Sequence, residues 1–234
     1  MFRALALLAF WGVAAVTVGL IGIPWTFLSG KVDLLYRMGV GVGLAGVRLV
    51  GVKVEVVGSE KLDWRRTYIF MCNHASNLDP PIVIPVVPRR TSVLVKKELF
   101  RVPLLGWAMR LASLVPVDRK NREAAIASLG FAAEVLRSGT NMTIWPEGTR
   151  SGDGRLLPFK KGSFHLATDT GVPIVPITLV GTHEIWHKGE FAIHPGTATV
   201  IFHEPIDPAA YPSQEDLINA VRERMRSGLP EKYQ

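Results

Sequence analysis

The chain has 234 residues, and 48% of them are hydrophobic, which favours one globular domain with a sizeable core and a modest appendage. The formal net charge is +7, and it accompanies a positive mean hydropathy without long runs of Lys or Arg. This combination favours an anionic membrane surface or a phosphorylated lipid as partner, and we find no nucleic-acid-binding motif. The single cysteine, Cys72, excludes an internal disulfide framework and is consistent with a reducing cytoplasm.

The first fifty residues are strongly apolar. Residues 4–30 contain no charge, and this stretch exceeds the length of about 20 residues that a helix needs to cross a bilayer. A second apolar run, residues 38–50, is interrupted only by Arg48, and together with Pro24 it indicates a kinked or two-helix anchor. We therefore predict that residues 1–50 attach the chain to a membrane, either spanning it or entering one leaflet. A cleaved signal peptide is the alternative, although its apolar core usually has only about 7–15 residues.

From residue 51 onward, short β-rich runs alternate with helical stretches, which is typical of a mixed α/β domain. For residues 51–234 we predict a catalytic domain built as a mixed sheet flanked by helices. The predicted strands cover residues 52–57, 67–72, 92–95, 142–145, 174–180 and 198–202. Two helices are well marked by their periodicity, at residues 122–138 and 214–226, and the second begins with a capping box formed by Ser213 and Asp216.

The first candidate motif, residues 73–79, directly follows the predicted strand that ends at Cys72. His74 is available there as a base, because an unperturbed imidazole is largely neutral at cellular pH and can take a proton from an alcohol. Asp79 can fix the tautomer of this imidazole if the chain turns between the two residues. In the alternative interpretation, Asp79 is the N-cap of a helix starting at Pro80, and His74 is an ordinary polar residue.

The second candidate motif, residues 145–151, also follows a short apolar strand. Gly148 allows the backbone to approach a ligand closely, and Arg150 offers a planar pair of donors to an anionic group. Glu147 has no evident role in a turn, which favours a functional interpretation. A polar surface loop is the alternative.

With residues 96–99 and 117–119 between these motifs, the chain resembles the glycerolipid acyltransferase family, and within it the bacterial 1-acylglycerol-3-phosphate acyltransferases. Four blocks occur in the order typical of the family, at residues 73–79, 115–119, 146–150 and 172–176. Each block alone is weakly specific, but their ordered occurrence is strongly so. Trp145 stands where the family more often has phenylalanine, and it keeps an aromatic side chain there.

The resemblance implies that His74 is the general base on the acceptor hydroxyl and that Asp79 orients it. It also implies a glycerol-phosphate site formed by Lys96, Arg119, Glu147, Gly148, Thr149 and Arg150. The implied reaction moves a fatty acyl group from acyl-CoA or acyl carrier protein to lysophosphatidic acid and gives phosphatidic acid. Neither a metal nor a cofactor is expected, because the thioester is a substrate. The implied location is the cell membrane, with the catalytic domain on the cytoplasmic side.

Several alternatives remain at this point. The same chemistry would serve an acyltransferase or transacylase for another lysolipid head group, and a non-catalytic membrane module that binds lipid is a different class of function. Cys72 could act as a nucleophile paired with His74, since residues two apart on a strand face the same way. Residues 183–187 match the His-Glu-x-x-His pattern of zinc peptidases, but they follow a Pro-rich strand and precede Gly189, which is not a helical context.

Overall fold

The computed structural model describes residues 1–118 and 121–234. Within this part of the chain the strands are β1 (Val52–Val57), β2 (Ile69–Cys72), β3 (Thr91–Lys96), β4 (Val115–Val117), β5 (Asn141–Ile144), β6 (Ile174–Val180) and β7 (Gly196–Phe202). The helices are α1 (Phe2–Ser29), α2 (Asp33–Leu49), α3 (Asp79–Val86), α4 (Leu105–Leu111), α5 (Arg122–Arg137), α6 (Gly162–Thr170), α7 (Thr182–Ile185) and α8 (Gln214–Ser227).

The strands form one sheet in the order β1-β7-β6-β2-β5-β3-β4. Strands β2 to β6 run parallel, β7 is antiparallel to β6, and β1 is parallel to β7. The carboxyl ends of β2, β3, β4 and β5 therefore meet at one edge of the sheet, which is where ligands bind in open α/β folds. The predicted mixed sheet flanked by helices is confirmed. Strand β4 was not predicted, because three residues are too few to show an alternating pattern.

Helices cover both faces of the sheet, and the alternation of side chains along β2 shows how. Phe70 and Cys72 belong to the core cluster that includes residues of α1, α2 and α3, whereas Ile69 and Met71 belong to the cluster that includes residues of α5, α6 and α8. All four side chains are fully buried. Strand β2 therefore contributes to both cores. Each buried large apolar side chain contributes about 1.5–3 kcal/mol to stability.

Helices α1 and α2 pack against each other as a pair. The indole N–H of Trp11 donates to the carbonyl of Val42 at 3.3 Å, and a Cβ atom at Gly46 would lie 2.2 Å from the same indole nitrogen. Only glycine allows this close approach. Within the described residues, α1 is the one helix long and apolar enough to cross a membrane, with a mean hydropathy of 2.3. The anchoring role of residues 1–50 stays a prediction.

Candidate active site

The register of the sheet brings the two candidate motifs together. Strands β2 and β5 are parallel neighbours, and Met71 pairs with Ile144. His74 and Glu147 follow this pair at the same distance along their strands, so both lie just beyond the carboxyl edge of the sheet. This position depends on β2 and β5 being adjacent, which the order of the strands in the chain does not reveal.

His74 and Asp79 form a hydrogen-bonded pair, with 2.6 Å between Nδ1 and Oδ2. The same carboxylate oxygen accepts the backbone N–H groups of Ala75 and Ser76, each at 2.8 Å. Asp79 is fully buried, whereas the His74 side chain is 14% exposed, and its Nε2 has no hydrogen-bond partner among the described residues. Leu78, not Asp79, occupies the N-cap of α3. The carboxylate thus orients the imidazole and leaves Nε2 facing outward.

Glu147 holds the backbone of His74 in place. Its Oε1 accepts the His74 N–H at 2.8 Å, and its Oε2 accepts the Leu157 N–H at 3.1 Å. On the other side of the same residue, the carbonyl of His74 accepts the N–H of Ser151 at 2.7 Å. The second motif therefore positions His74 through hydrogen bonds to its main chain. Contact between Glu147 and a glycerol phosphate stays a prediction, since both of its oxygens already accept backbone groups.

The Glu147 carboxyl group is 3% exposed, and this burial raises its pKa to about 7. The N–H groups of His74 and Leu157 oppose that shift by stabilising the charged form, and the negative charge of Asp79 adds to it. Burial thus favours the protonated form of a carboxyl group that lies directly behind the predicted base.

Two residues beside the base were quoted in the sequence motifs without a structural role. The rings of His74 and Trp145 lie 5.3 Å apart, so Trp145 forms one wall of the imidazole site. The amide side chain of Asn73 accepts the N–H of Leu179 at 2.6 Å and donates to the carbonyl of the same residue at 3.0 Å. Asn73 thus continues the pairing of β2 with β6 past the end of β2. No sequence signal identifies these contacts, because the partner of Asn73 is more than a hundred residues away.

Gly148, Thr149 and Arg150, three of the predicted phosphate ligands, lie in the loop after β5 at the same edge. Gly148 has φ of +69°, which favours glycine, and Thr149 is exposed. The guanidinium of Arg150 makes no hydrogen bond or ion pair within the described residues. The backbone carbonyl of Arg150 accepts a hydrogen bond from the ammonium group of Lys188 at 2.7 Å. Arg119 lies outside the described residues, so its predicted role is neither supported nor opposed.

Two neighbouring lysines lie at the carboxyl end of β3, Lys96 as its last residue and Lys97 directly after it. Lys96, the predicted helper, is 60% exposed and lies 3.7 Å from Glu98. The ammonium group of Lys97 forms a hydrogen-bonded ion pair with the carboxylate of Asp118, the residue that follows β4 and precedes Arg119. The resemblance implied a role for Lys96 alone, and the ion pair of Lys97 was not predicted because it depends on the pairing of β3 with β4.

The two other candidate sites differ from the first one in their surroundings. Cys72 is fully buried, and burial, followed by the charge of Asp79, raises the pKa of its thiol. This environment disfavours a thiolate nucleophile. The rings of His183 and His187 meet edge to face at 4.4 Å, but α7 ends at Ile185, so the pair does not share the helix that the zinc peptidase motif needs.

Replacing Cys72 with Ala is therefore expected to leave most acyl-transfer activity intact, with a small loss of stability from the vacated volume. The check is the turnover number of Cys72→Ala relative to that of the unmodified protein, together with intact-mass analysis after incubation with an acyl donor. An acyl group trapped on Cys72, or loss of activity in a folded Cys72→Ala variant, would show instead that the thiol takes part in the reaction.

A histidine with an available ring nitrogen, backed by a buried carboxylate at the carboxyl edge of a parallel sheet, is the arrangement of an enzyme that activates a hydroxyl group by general base catalysis. A family model described as Acyltransferase matches residues 53–180, which is more than half of the chain. The chain belongs to this acyltransferase family, as its four ordered motifs predicted.

Individual relatives agree with this assignment. The chain is 42% identical over 199 residues to the 1-acyl-sn-glycerol-3-phosphate acyltransferase of Limnanthes alba, covering 83% of this chain and 69% of that protein. It is 33% identical over 182 residues to the human alpha form, covering 77% of this chain and 64% of that protein. The crystal structure of the 1-acyl-sn-glycerophosphate acyltransferase PlsC from Thermotoga maritima superposes with a TM-score of 0.82, at 31% identity, over 97% of this chain and 95% of that one.

Proposed function

We propose that this protein transfers a fatty acyl group from a thioester to the 2-hydroxyl of lysophosphatidic acid, 1-acylglycerol 3-phosphate, and so forms phosphatidic acid. The observation that carries the proposal is the contact between His74 and Asp79 in a member of the acyltransferase family. The relatives at 33% to 42% identity are named for this reaction, which supports the choice of acceptor.

The reaction proceeds by direct transfer. Nε2 of His74 takes the proton of the acceptor hydroxyl while the hydroxyl oxygen attacks the thioester carbonyl, and Asp79 stabilises the imidazolium that forms. Backbone N–H groups stabilise the oxyanion of the tetrahedral intermediate. The carbon–sulfur bond then breaks, and because a thiol has a pKa of about 8.5, the thiolate leaves with little help from an acid.

An apolar cavity beside the site supports a lipid substrate. It has a volume of about 440 Å³ and lies between α1, α2, α3, β3 and α4. Its walls include Pro80 and Pro81, which directly follow Asp79 in the chain. A cavity of this size and polarity suits an acyl chain, and its position would bring the carboxyl end of that chain close to His74.

The predicted phosphate ligands complete the proposal. A phosphomonoester carries nearly two negative charges, and Arg150, Arg119 and Lys96 supply positive charge in the family's motif positions. Binding the phosphate also aims the hydroxyl, since only two carbons and the ester oxygen separate the hydroxyl oxygen from phosphorus.

The acyl donor and the location belong to the same proposal. The donor is a thioester of coenzyme A or of acyl carrier protein. The long apolar helix α1 exposes large side chains such as Phe2, Leu20 and Leu28, which suits insertion into a lipid bilayer. We place the catalytic domain on the cytoplasmic side, where acyl thioesters are made.

Two other functions compete with this one. An acyltransferase or transacylase for a different lysolipid would use the same base, and only the head-group pocket would differ. A non-catalytic membrane module that binds lipid has no need of an oriented imidazole, so the His74–Asp79 pair argues against it. Acyl-transfer assays of the detergent-solubilised protein, with both donors and a panel of lysolipids, separate the three.

The Arg150→Lys variant tests the choice of acceptor. Lysine keeps the charge but loses the two-pronged donor, so the specificity constant for lysophosphatidic acid should fall roughly tenfold to a hundredfold, as for a lost hydrogen bond to a charged group of about 1.5–3 kcal/mol. The loss should be much smaller for lysophosphatidylcholine. The measurement is the ratio of the two specificity constants in unmodified protein, Arg119→Ala and Arg150→Lys.

The exposed Arg155 lies in the same loop, so Arg155→Lys is the matched control and should leave the ratio unchanged. A ratio that stays constant in Arg119→Ala and Arg150→Lys means that these arginines do not recognise the phosphate. Another lysolipid head group then becomes the better assignment.

A further inference from the structure

A second cavity lies on the opposite face of the sheet from the apolar cavity, next to the loop that carries Gly148. On β3, Val93 lines the apolar cavity and Leu94 lines this smaller one, because neighbouring residues of a strand face opposite sides. Its volume is about 160 Å³, roughly that of five water molecules at about 30 Å³ each. That space fits a small head group better than a fatty chain.

Lys160 is the one charged residue among the described residues that line this second cavity. The remaining walls are mostly apolar, and they include Trp145, Pro146 and Gly148 from the second motif. Lys160 is itself exposed, so a ligand in this cavity can reach its ammonium group from solvent. The cavity therefore offers one positive charge at the edge of an otherwise weakly polar space.

The side chain of Lys160 lies directly over Gly148. A Cβ atom at position 148 would be 2.8 Å from Cε of Lys160 and 3.0 Å from its Nζ, so glycine is what permits this approach. The backbone N–H of Lys160 donates to the carbonyl of Pro146 at 2.8 Å, which fixes the lysine against the loop. The ammonium group is thus held next to the Gly148 backbone, two residues before Arg150.

The charge of Lys160 has no protein partner in the part of the chain that the structure describes, unlike that of Lys97, which pairs with Asp118. Glu147 adjoins Gly148 in the chain, but both of its carboxylate oxygens accept backbone N–H groups. An uncompensated cation of this kind is suited to an anion supplied by a ligand.

We propose that Lys160 binds the phosphate of the acceptor lipid, alongside Arg150, and that the second cavity receives the glycerol phosphate. This inference rests on the proposed function. Trp145 connects the two sites, since it lines the second cavity and its ring lies 5.3 Å from that of His74. A phosphate held by Lys160 therefore places its neighbouring hydroxyl on the His74 side of the cavity. Lys160 is a specificity-determining residue in this arrangement, and it takes no part in proton transfer.

The test is Lys160→Met, which keeps the aliphatic stem over Gly148 and removes the charge. The matched control is Lys161→Met, because Lys161, at the N-cap of α6, is exposed like Lys160 but does not line the cavity. We expect Lys160→Met to raise the KM for 1-acylglycerol 3-phosphate about tenfold or more, as for a lost hydrogen bond to a charged group, and to leave the KM for the acyl donor unchanged. Lys160→Arg should retain most of the affinity for the acceptor.

Three outcomes overturn this inference while the proposed function stands: equal acceptor KM values in Lys160→Met and Lys161→Met, a rise in the donor KM alone, or the same loss with 1-acylglycerol, which lacks the phosphate. If Lys160→Met does not fold, Lys160→Gln replaces it in the same assays. Failure of the unmodified protein to acylate lysophosphatidic acid with either donor is a separate result, and it contradicts the proposed function itself.

Discussion

Replacing His74 with Ala is expected to lower the turnover number at least about 10²–10⁴-fold, the usual contribution of a general base, while the protein stays folded. The expectation follows from the Nδ1–Oδ2 contact of 2.6 Å and from the Nε2 atom left available for the acceptor. The side chain is 14% exposed, and its ring nitrogens make no other hydrogen bond within the described residues, so its removal should disturb the core little.

Asp79 should depend on His74 for its effect on turnover. Because the carboxylate acts by orienting the imidazole, His74→Ala combined with Asp79→Asn should be little worse than His74→Ala alone. His165→Ala, on the exposed face of α6, is the matched control and should keep full activity. The measurement is kcat for all variants under saturating substrates, with circular dichroism as the check on folding. Substantial turnover in His74→Ala, or additive losses in the double variant, would contradict the mechanism.

Replacing Glu147 with Gln should also reduce turnover strongly, by roughly tenfold to a hundredfold, as expected for one lost hydrogen bond to a charged group of about 1.5–3 kcal/mol. The two carboxylate oxygens accept the N–H groups of His74 and Leu157. Glutamine has a single oxygen, and its amide group would face the second N–H, so two donors would oppose each other. Asp169→Asn, at an exposed carboxylate of α6, is the control that should change little.

The pKa of Glu147 gives this variant a second readout. Burial raises the pKa from its ordinary value of 4.5 to about 7, so the folded protein binds this proton more tightly than the unfolded chain. The resulting stabilisation, roughly 3 kcal/mol, is fully present below pH 4.5 and is lost as the pH rises to about 7. Glu147→Gln removes this titration.

The measurement is the free energy of unfolding of the unmodified protein and of Glu147→Gln across that range of pH. As the pH rises, the free energy of unfolding of the unmodified protein should fall relative to that of Glu147→Gln. A difference that is constant between pH 4.5 and 7.5 shows that Glu147 is not protonated at neutral pH in the folded protein.

The sequence predicted the local elements well because their signals are local. The six expected strands are present with shifts of at most about two residues, and α5 and α8 begin where periodicity and capping placed them. The side chain of Ser213 indeed accepts the N–H of Asp216 at 3.1 Å. Strand β4 escaped prediction because residues 115–117 gain their extended conformation from pairing with β3, not from any pattern of their own.

The candidate site was predictable in its residues but not in its contacts. The spacing of His74 and Asp79 allowed their pairing but left the N-cap interpretation of Asp79 open, and the family resemblance implied the pair that the structure contains. The hydrogen bond from the backbone of His74 to Glu147 was not predictable, because it depends on β5 lying beside β2. The same applies to Lys160, whose position over Gly148 depends on where the loop after β5 folds back.

The apolar cavity also has a consequence for how the molecule can change. Two of its walls belong to α1 and α2, and the other walls belong to α3, β3 and α4. The segment predicted to anchor the protein in lipid is therefore also part of the cavity proposed to receive the fatty chain. A protein truncated before β1 would lose these two walls of the cavity together with its predicted membrane anchor. Exchanging α1 and α2 between relatives would therefore change two properties together. One is the length of the fatty acyl chain that the cavity accepts, and the other is the preference of the protein for a membrane.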